Sequence, residues 1–172
     1  MRGIMIDTRK ARSYNKDMKK TFEKIPKPLR AVLFHFLQWT WGLPQNLVGL
    51  LLLPIFRGER FRFHGALVTV YRRLRFSKNR AGFSLGSFIF LPETWTEYDK
   101  KHLVVHEYGH TVQSLILGPF YLFLVGLPSV IWSHRYDRRV SVYRSRGVAY
   151  TDRFPEHGAD RLGEYATGEK PY

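Results

Sequence analysis

Two strongly apolar stretches constrain this chain more than any other feature. They are "LRAVLFHFLQWTWGLPQNLVGLLLLPIF", starting at Leu29, and "LILGPFYLFLVGLPSVIW", residues 115–132. The first is broken by Gly42, Pro44, Gln45, Asn46, Gly49 and Pro54, the second by Gly118-Pro119 and by Gly126 and Pro128. Neither keeps the roughly 20 uninterrupted apolar residues that a spanning helix needs. Basic residues bracket them: Lys24, Lys27 and Arg30 before the first, Arg57, Arg60 and Arg62 after it, and Arg135, Arg138 and Arg139 after the second. Positive charge at both ends favours segments that dip into a membrane or lie in its interface over segments that cross once, and Trp39 and Trp41 suit a membrane-water boundary. A soluble domain with two very apolar core helices is the alternative, in keeping with a mean hydropathy of −0.29.

A length of 172 residues suits one domain, and 44% hydrophobic residues can build its core. Residues 1–28 read as a basic N-terminal arm and 29–172 as a single membrane-associated domain carrying apolar segments 31–56 and 115–132. Lys and Arg number 28 against 14 Asp and Glu, a net charge of +14, which attracts anionic membrane lipids or nucleic acid. No helix-turn-helix, RRM or zinc-finger pattern accompanies the arginine clusters, so lipid is favoured over nucleic acid. The basic N-terminus lacks an apolar run and a cleavage site, which argues against a cleaved secretory signal. The expected location is the cytoplasmic face of a membrane, the inner one in a bacterium. The chain has no cysteine, so any metal must be held by His, Asp or Glu.

Between the apolar segments, "ALVTVYRRLRF" and "FSLGSFIFL" read as two strands of a β-hairpin with "SKNRAG" as the turn. The following segment opens with Thr96 and, three residues on, Asp99, a capping pattern that predicts a helix from about Glu97 to the Gly118-Pro119 break. "RYDRRVSVYRSRGVAY", residues 135–150, reads as loop and short strand. "FPEHGADRLGEYATG" reads as a short helix opened by Pro155 and closed near Gly168.

The 97–117 helix carries "HEYGH". His106 and His110 lie one turn apart on one face, the spacing at which two imidazoles reach one zinc ion. In such sites the intervening glutamate, here Glu107, takes a proton from the attacking water and passes it to the leaving amine. A catalytic zinc needs a third protein ligand. A histidine continuing the motif is closed off, because Gln113 and Ile116 stand where Gly and His would be needed. The later helix offers Glu156, Ala159 and Asp160 as an ExxAD pattern: one carboxylate can bind the ion, Asp160 can accept the free ring N–H of a ligand histidine, and Ala159 lets the helices approach. Gly109 lets a second element approach the HEYGH helix closely, where a side chain is absent. His157 adjoins the proposed ligand and would steady an oxyanion if it pointed into the cleft. Tyr143 and Tyr150 are unranked alternatives for that role, and His102 lies two turns from His110, too far along a straight helix to share one ion.

HEYGH followed by ExxAD resembles the gluzincin zinc metalloproteases, in particular the membrane-embedded CAAX-prenyl-protease and HtpX-like group. "WTWGLPQNLVGLLLL" and "HEYGHTVQSLILGPFYL" also resemble a group of small, uncharacterised bacterial membrane proteins. The resemblance implies His106, His110 and Glu156 as zinc ligands, Glu107 as general base, Asp160 as orienter, and a peptide or protein substrate. It also implies an edge strand that holds the substrate extended, here Ser84, Leu85, Gly86, Ser87 and Phe88. The expectation is therefore a small α+β, zincin-like domain acting as a membrane-associated zinc metallopeptidase. Two rivals stand beside it: a non-catalytic, metal-stabilised membrane interaction protein, and a basic nucleic-acid binder.

Overall fold

A computed structural model of the chain describes residues 26–72, 82–94 and 96–171. The chain falls into two compact units, Met1–Phe34 and His35–Tyr172. Of the first, residues 26–34 are described, including the start of helix α1 (Lys27–Thr40), which runs on into the second unit. Most of the expected basic arm, and the expected turn at 77–82 apart from Gly82, lie outside the described residues.

The fold is α+β. After α1 come α2 (Leu43–Leu52), four strands, β1 (Gly58–Phe63), β2 (Ala66–Tyr71), β3 (Phe83–Leu85) and β4 (Phe88–Pro92), and then α3 (Glu97–Leu117). A 3-10 turn (Gly118–Phe120) and a π turn (Leu122–Gly126) lead into α4 (Leu127–Arg138) and α5 (Val140–Ser145). A second 3-10 turn (Tyr150–Asp152) precedes α6 (Glu156–Thr167).

The sheet order is β1-β2-β4-β3, with β2 and β4 parallel and both outer pairs antiparallel. This corrects the expected hairpin between the segments now seen as β2 and β4, which are neighbours but run the same way. The hairpins form around two tight turns instead. His64 and Gly65, both at positive φ (46° and 94°), join β1 to β2, as a two-residue turn matched to strand twist requires. Gly86, at φ 61°, and Ser87 split what reads in sequence as one strand into β3 and β4.

All five residues of β4 are buried, as befits an inner strand covered on both faces. On one face Phe88, Phe90 and Tyr71 pack with Leu52, Leu53, Phe56, Leu67 and Phe83. Phe56 meets the rings of Tyr71, Phe83 and Phe90 at centroid distances of 4.9, 5.1 and 5.2 Å. Ile89 and Leu91, alternating with these, belong to the opposite face, where α3 packs on β3 and β4.

α3 has the predicted bounds. The Thr96 hydroxyl accepts the Asp99 backbone N–H at 3.1 Å, and Gly118 ends the helix at φ 54°. α6 runs from Glu156 to Thr167 between Pro155 and Gly168, whose left-handed φ of 78° closes it.

The first apolar segment folds as the α1–α2 corner, and its polar interruption has a purpose. Gln38, Gln45 and Asn46 are fully buried. Gln38 Nε2 donates to Thr111 O and its Oε1 accepts from Ser114; Gln45 Nε2 donates to Gly118 O at 3.1 Å; Asn46 donates to Gln38 O and accepts from Ser87 N at 2.7 Å. These bonds tie the corner to the back of α3 and to the β3–β4 turn.

The second apolar segment is the end of α3, the two turns and α4. No helix among the described residues is long and apolar enough to cross a membrane. Residues 135–150 are largely helical, contrary to the loop and strand expected. Aromatic rings at helical spacing explain this: Trp132 packs on Tyr136 at 5.6 Å, and Tyr136 stacks on Tyr143 at 5.4 Å and 4°.

Candidate metal centre

The site is made by two helices in close contact. A Cβ added to Gly109 on α3 would lie 1.8 Å from Ala159 O, and one on Gly163 of α6 would lie 2.2 Å from Val105 O. Only glycine at these two positions allows the backbones so near, and the contact sets the α6 carboxylates opposite the α3 histidines.

His106, His110 and Glu156 form a buried cluster whose donor atoms all lie within 4.8 Å of one another, a set that could hold a metal ion. Glu156 Oε2 is 3.1 Å from His106 Nε2 and 3.3 Å from His110 Nε2. Ligands at about 2.0–2.1 Å in a tetrahedral shell are about 3.3–3.4 Å apart, so each imidazole already stands from the carboxylate at close to the separation such a shell needs. Glu156 is fully buried and its Oε1 has no hydrogen-bond partner among the described residues.

Both histidines are held from behind. His106 Nδ1 lies 2.6 Å from Asp160 Oδ1 and donates to it, the orienting role expected of Asp160. His110 Nδ1 lies 2.7 Å from Gln113 Oε1. Gln113 Nε2 donates to Pro155 O at 3.1 Å, which turns its carbonyl toward His110 and makes Nδ1 the protonated nitrogen. In both rings Nε2 therefore faces Glu156 and can carry a lone pair. Gln113 was noticed in the sequence only as the residue that rules out a longer histidine motif. Its role could have been seen in its place one turn beyond His110, on the same side of the helix.

Electrostatics match this arrangement. Burial disfavours charge on His106, but hydrogen bonds to Asp160 and Glu156 outweigh it and push its pKa up to about 10. Burial would raise Glu156, yet the hydrogen bonds from His106 and His110 win and hold it well below the usual carboxylate range. A divalent cation would replace the shared proton, since ligand imidazoles bind metal in the neutral form.

Glu107 is buried beside the ligands without joining them. Burial raises its pKa, the nearby histidines oppose that rise, and the charge of Glu156 adds to it. The Ser84 hydroxyl favours the ionised form without closing a hydrogen bond of good geometry, for neither Ser84 Oγ nor Glu107 Oε2 has a partner among the described residues.

A cavity of about 900 Å³ opens over His106, Glu107 and His110. Phe83, Ser84 and Leu85 form one wall; Tyr121, Leu122, Leu127, Val130 and Tyr150 line the other. Of the expected edge-strand residues, Ser84 and Leu85 lie in β3, which is at the sheet edge, while Gly86 and Ser87 form the turn. Phe88 is in β4, paired on both sides. The usable edge is thus three residues long, and the Ser84 carbonyl already accepts from Tyr121 Oη at 3.2 Å. His157 is exposed and outside the cavity lining, because one residue along a helix turns it about 100° from Glu156. His102 bonds Lys170 O through Nδ1 at 2.8 Å, away from the cluster. Tyr150 and Tyr143 both pack with Trp132 and Tyr136, and of the two Tyr150 lines the cavity.

Because Gln113 holds the His110 ring and grips the residue preceding Glu156, Gln113→Ala is expected to weaken the binding of a divalent metal such as zinc about 10–100-fold. Competition titration against a chromogenic chelator measures it, with Glu164→Ala on the exposed face of α6 as control.

No family model, curated protein or solved structure matches the chain.

Proposed function

We propose that the protein is a zinc-dependent peptidase of gluzincin-like design, in which His106, His110 and Glu156 hold the ion, Glu107 moves the proton and Tyr150 steadies the oxyanion. The observation that carries this reading is the position of Glu107, a buried carboxylate on the floor of the cavity that is not one of the three clustered donors. Structural zinc sites are closed by four protein ligands, whereas catalytic ones present three and keep a position open. Three donors beside a cavity fit the second kind, and a His₂Glu set without thiolates suits zinc.

When bound, zinc supplies the chemistry of a Lewis acid, lowering the pKa of water toward about 7 and polarising a carbonyl. The Glu107 carboxylate takes the proton of the attacking water and returns it to the amine as the C–N bond breaks. Its raised pKa brings it closer to that task. Burial first, then the charges of Glu156 and Glu107, push the Tyr150 phenol well above its ordinary range, so it stays protonated and can donate to a developing oxyanion. Asp160 and Gln113 keep the ligand imidazoles in one tautomer. Substrate backbone would lie along β3, limited to Phe83–Leu85.

The test is hydrolysis of a library of internally quenched peptides by the zinc-loaded protein, abolished by a chelator and restored by zinc. Tyr150→Phe should keep the zinc and the Trp132 bond to the Tyr150 backbone carbonyl while lowering kcat about 10²-fold or more. A zinc-loaded, folded protein that cleaves nothing in the library leaves a metal-stabilised binding protein as the better reading.

A further inference from the structure

We infer that the outer faces of α2, of the turns at 118–126 and of α4 form one surface that seats in the headgroup layer of an anionic bilayer, with the mouth of the metal cavity opening in it. Leu51 is 71% exposed, Ile116 62%, Phe120 60% and Phe123 71%. At these fractions each contributes on the order of 100 Å², so four residues alone reach the roughly 300–600 Å² of the largest patch on an ordinary monomer. The Trp41 ring packs over Gly118, which joins the start of α2 to the turn at 118–120, and Leu52 and Leu122 line the same cavity, so α2 and the 118–126 turns border one opening. Leu127 and Val130 line that cavity and are 54% and 55% exposed, which places its rim on the apolar face.

Charge decides what covers this face. Residues 35–56 and 110–134 contain no Asp, Glu, Lys or Arg, and each stretch is followed by arginine. Arg57 Nε donates to Pro54 O and Arg60 to Leu53 O, which sets two guanidinium groups at the foot of α2. Arg135 and Arg138 occupy the last turn of α4. A second copy would bring these cationic rims against each other, whereas a bilayer offers hydrocarbon to the face and phosphate to the rim. With no helix able to span among the described residues, the face lies in the interface plane and reaches about 5–10 Å deep.

Because the chain has no cysteine, single labelling sites are clean. Full-length protein carrying a fluorophore at Phe123→Cys, Val130→Cys or Glu164→Cys is mixed with vesicles of phosphatidylcholine and phosphatidylglycerol doped with a lipid-borne quencher. The labels at 123 and 130 should be quenched at least severalfold more than the one at 164, with Val130 reporting the cavity rim. Arg135→Gln and Arg138→Gln should each lower vesicle partitioning about fivefold, with no loss in pure phosphatidylcholine. Equal quenching at all three sites, no vesicle binding by the unlabelled protein, or a lipid-free dimer that shields the label at 123 would each overturn the inference. His110→Ala should bind vesicles like the parent protein, so failure of the peptidase reading and failure of this one are told apart.

Discussion

The proposed centre should hold one zinc ion per chain in the parent protein and less than about a tenth of that in Glu156→Ala, measured by elemental analysis after gel filtration. Glu156 is the only donor of the cluster that comes from α6, and its Oε2 lies within 3.3 Å of both imidazoles. Losing a supporting residue costs about 10–100-fold in affinity, and losing a ligand should exceed that. The thermal readout follows. In the parent protein, zinc at about 1,000 times its Kd adds about 4 kcal/mol to stability, and the variant should show almost none of this. Glu156→Gln keeps the volume and one carbonyl oxygen, so its zinc content separates lost coordination from a hole in the helix interface. Full zinc occupancy in both variants would remove the metal centre from consideration.

Glu107→Gln should do the reverse, keeping the zinc and the melting temperature while lowering kcat about 10²–10⁴-fold, the range general acid–base catalysis contributes. The amide fills the same buried space, but it can neither take the proton of water nor give it back. KM should stay nearly constant, because the proposed reading has the peptide lie along β3 and the cavity walls rather than bind through this carboxylate. Steady-state kinetics on a peptide found in the library screen, with metal analysis of the same samples, gives the answer. If zinc stays and turnover is unchanged, the cluster is a structural metal site and the cavity has another use.

Local signals carried much of the site. Thr96, Gly118, Pro155 and Gly168 are terminators that act within one turn, and they placed α3 and α6 nearly to the residue. The spacing of His106, Glu107 and His110 and the pattern Glu156, Ala159, Asp160 named the groups that the fold brings together. What could not be read depends on partners distant in the chain. That β4 would insert beside β2 in parallel follows from sheet packing, and no turn residue signals it. The positive φ of Gly86 was legible in the Leu85-Gly86-Ser87 run but was hidden by the apolar residues on both sides. Helix over 135–145 depended on stacking among Trp132, Tyr136 and Tyr143, whose spacings of four and seven residues were present but lay under dense arginine. Tyr150 could be separated from Tyr143 only once the cavity wall was known.

The side-chain hydrogen bonds between the α1–α2 corner and α3 behave as a ratchet tooth. A slip of a single residue would strand the Gln38 and Gln45 side chains in a dry interior, each at a cost of about 1–3 kcal/mol. Corner and histidine-bearing helix are thereby held in one register.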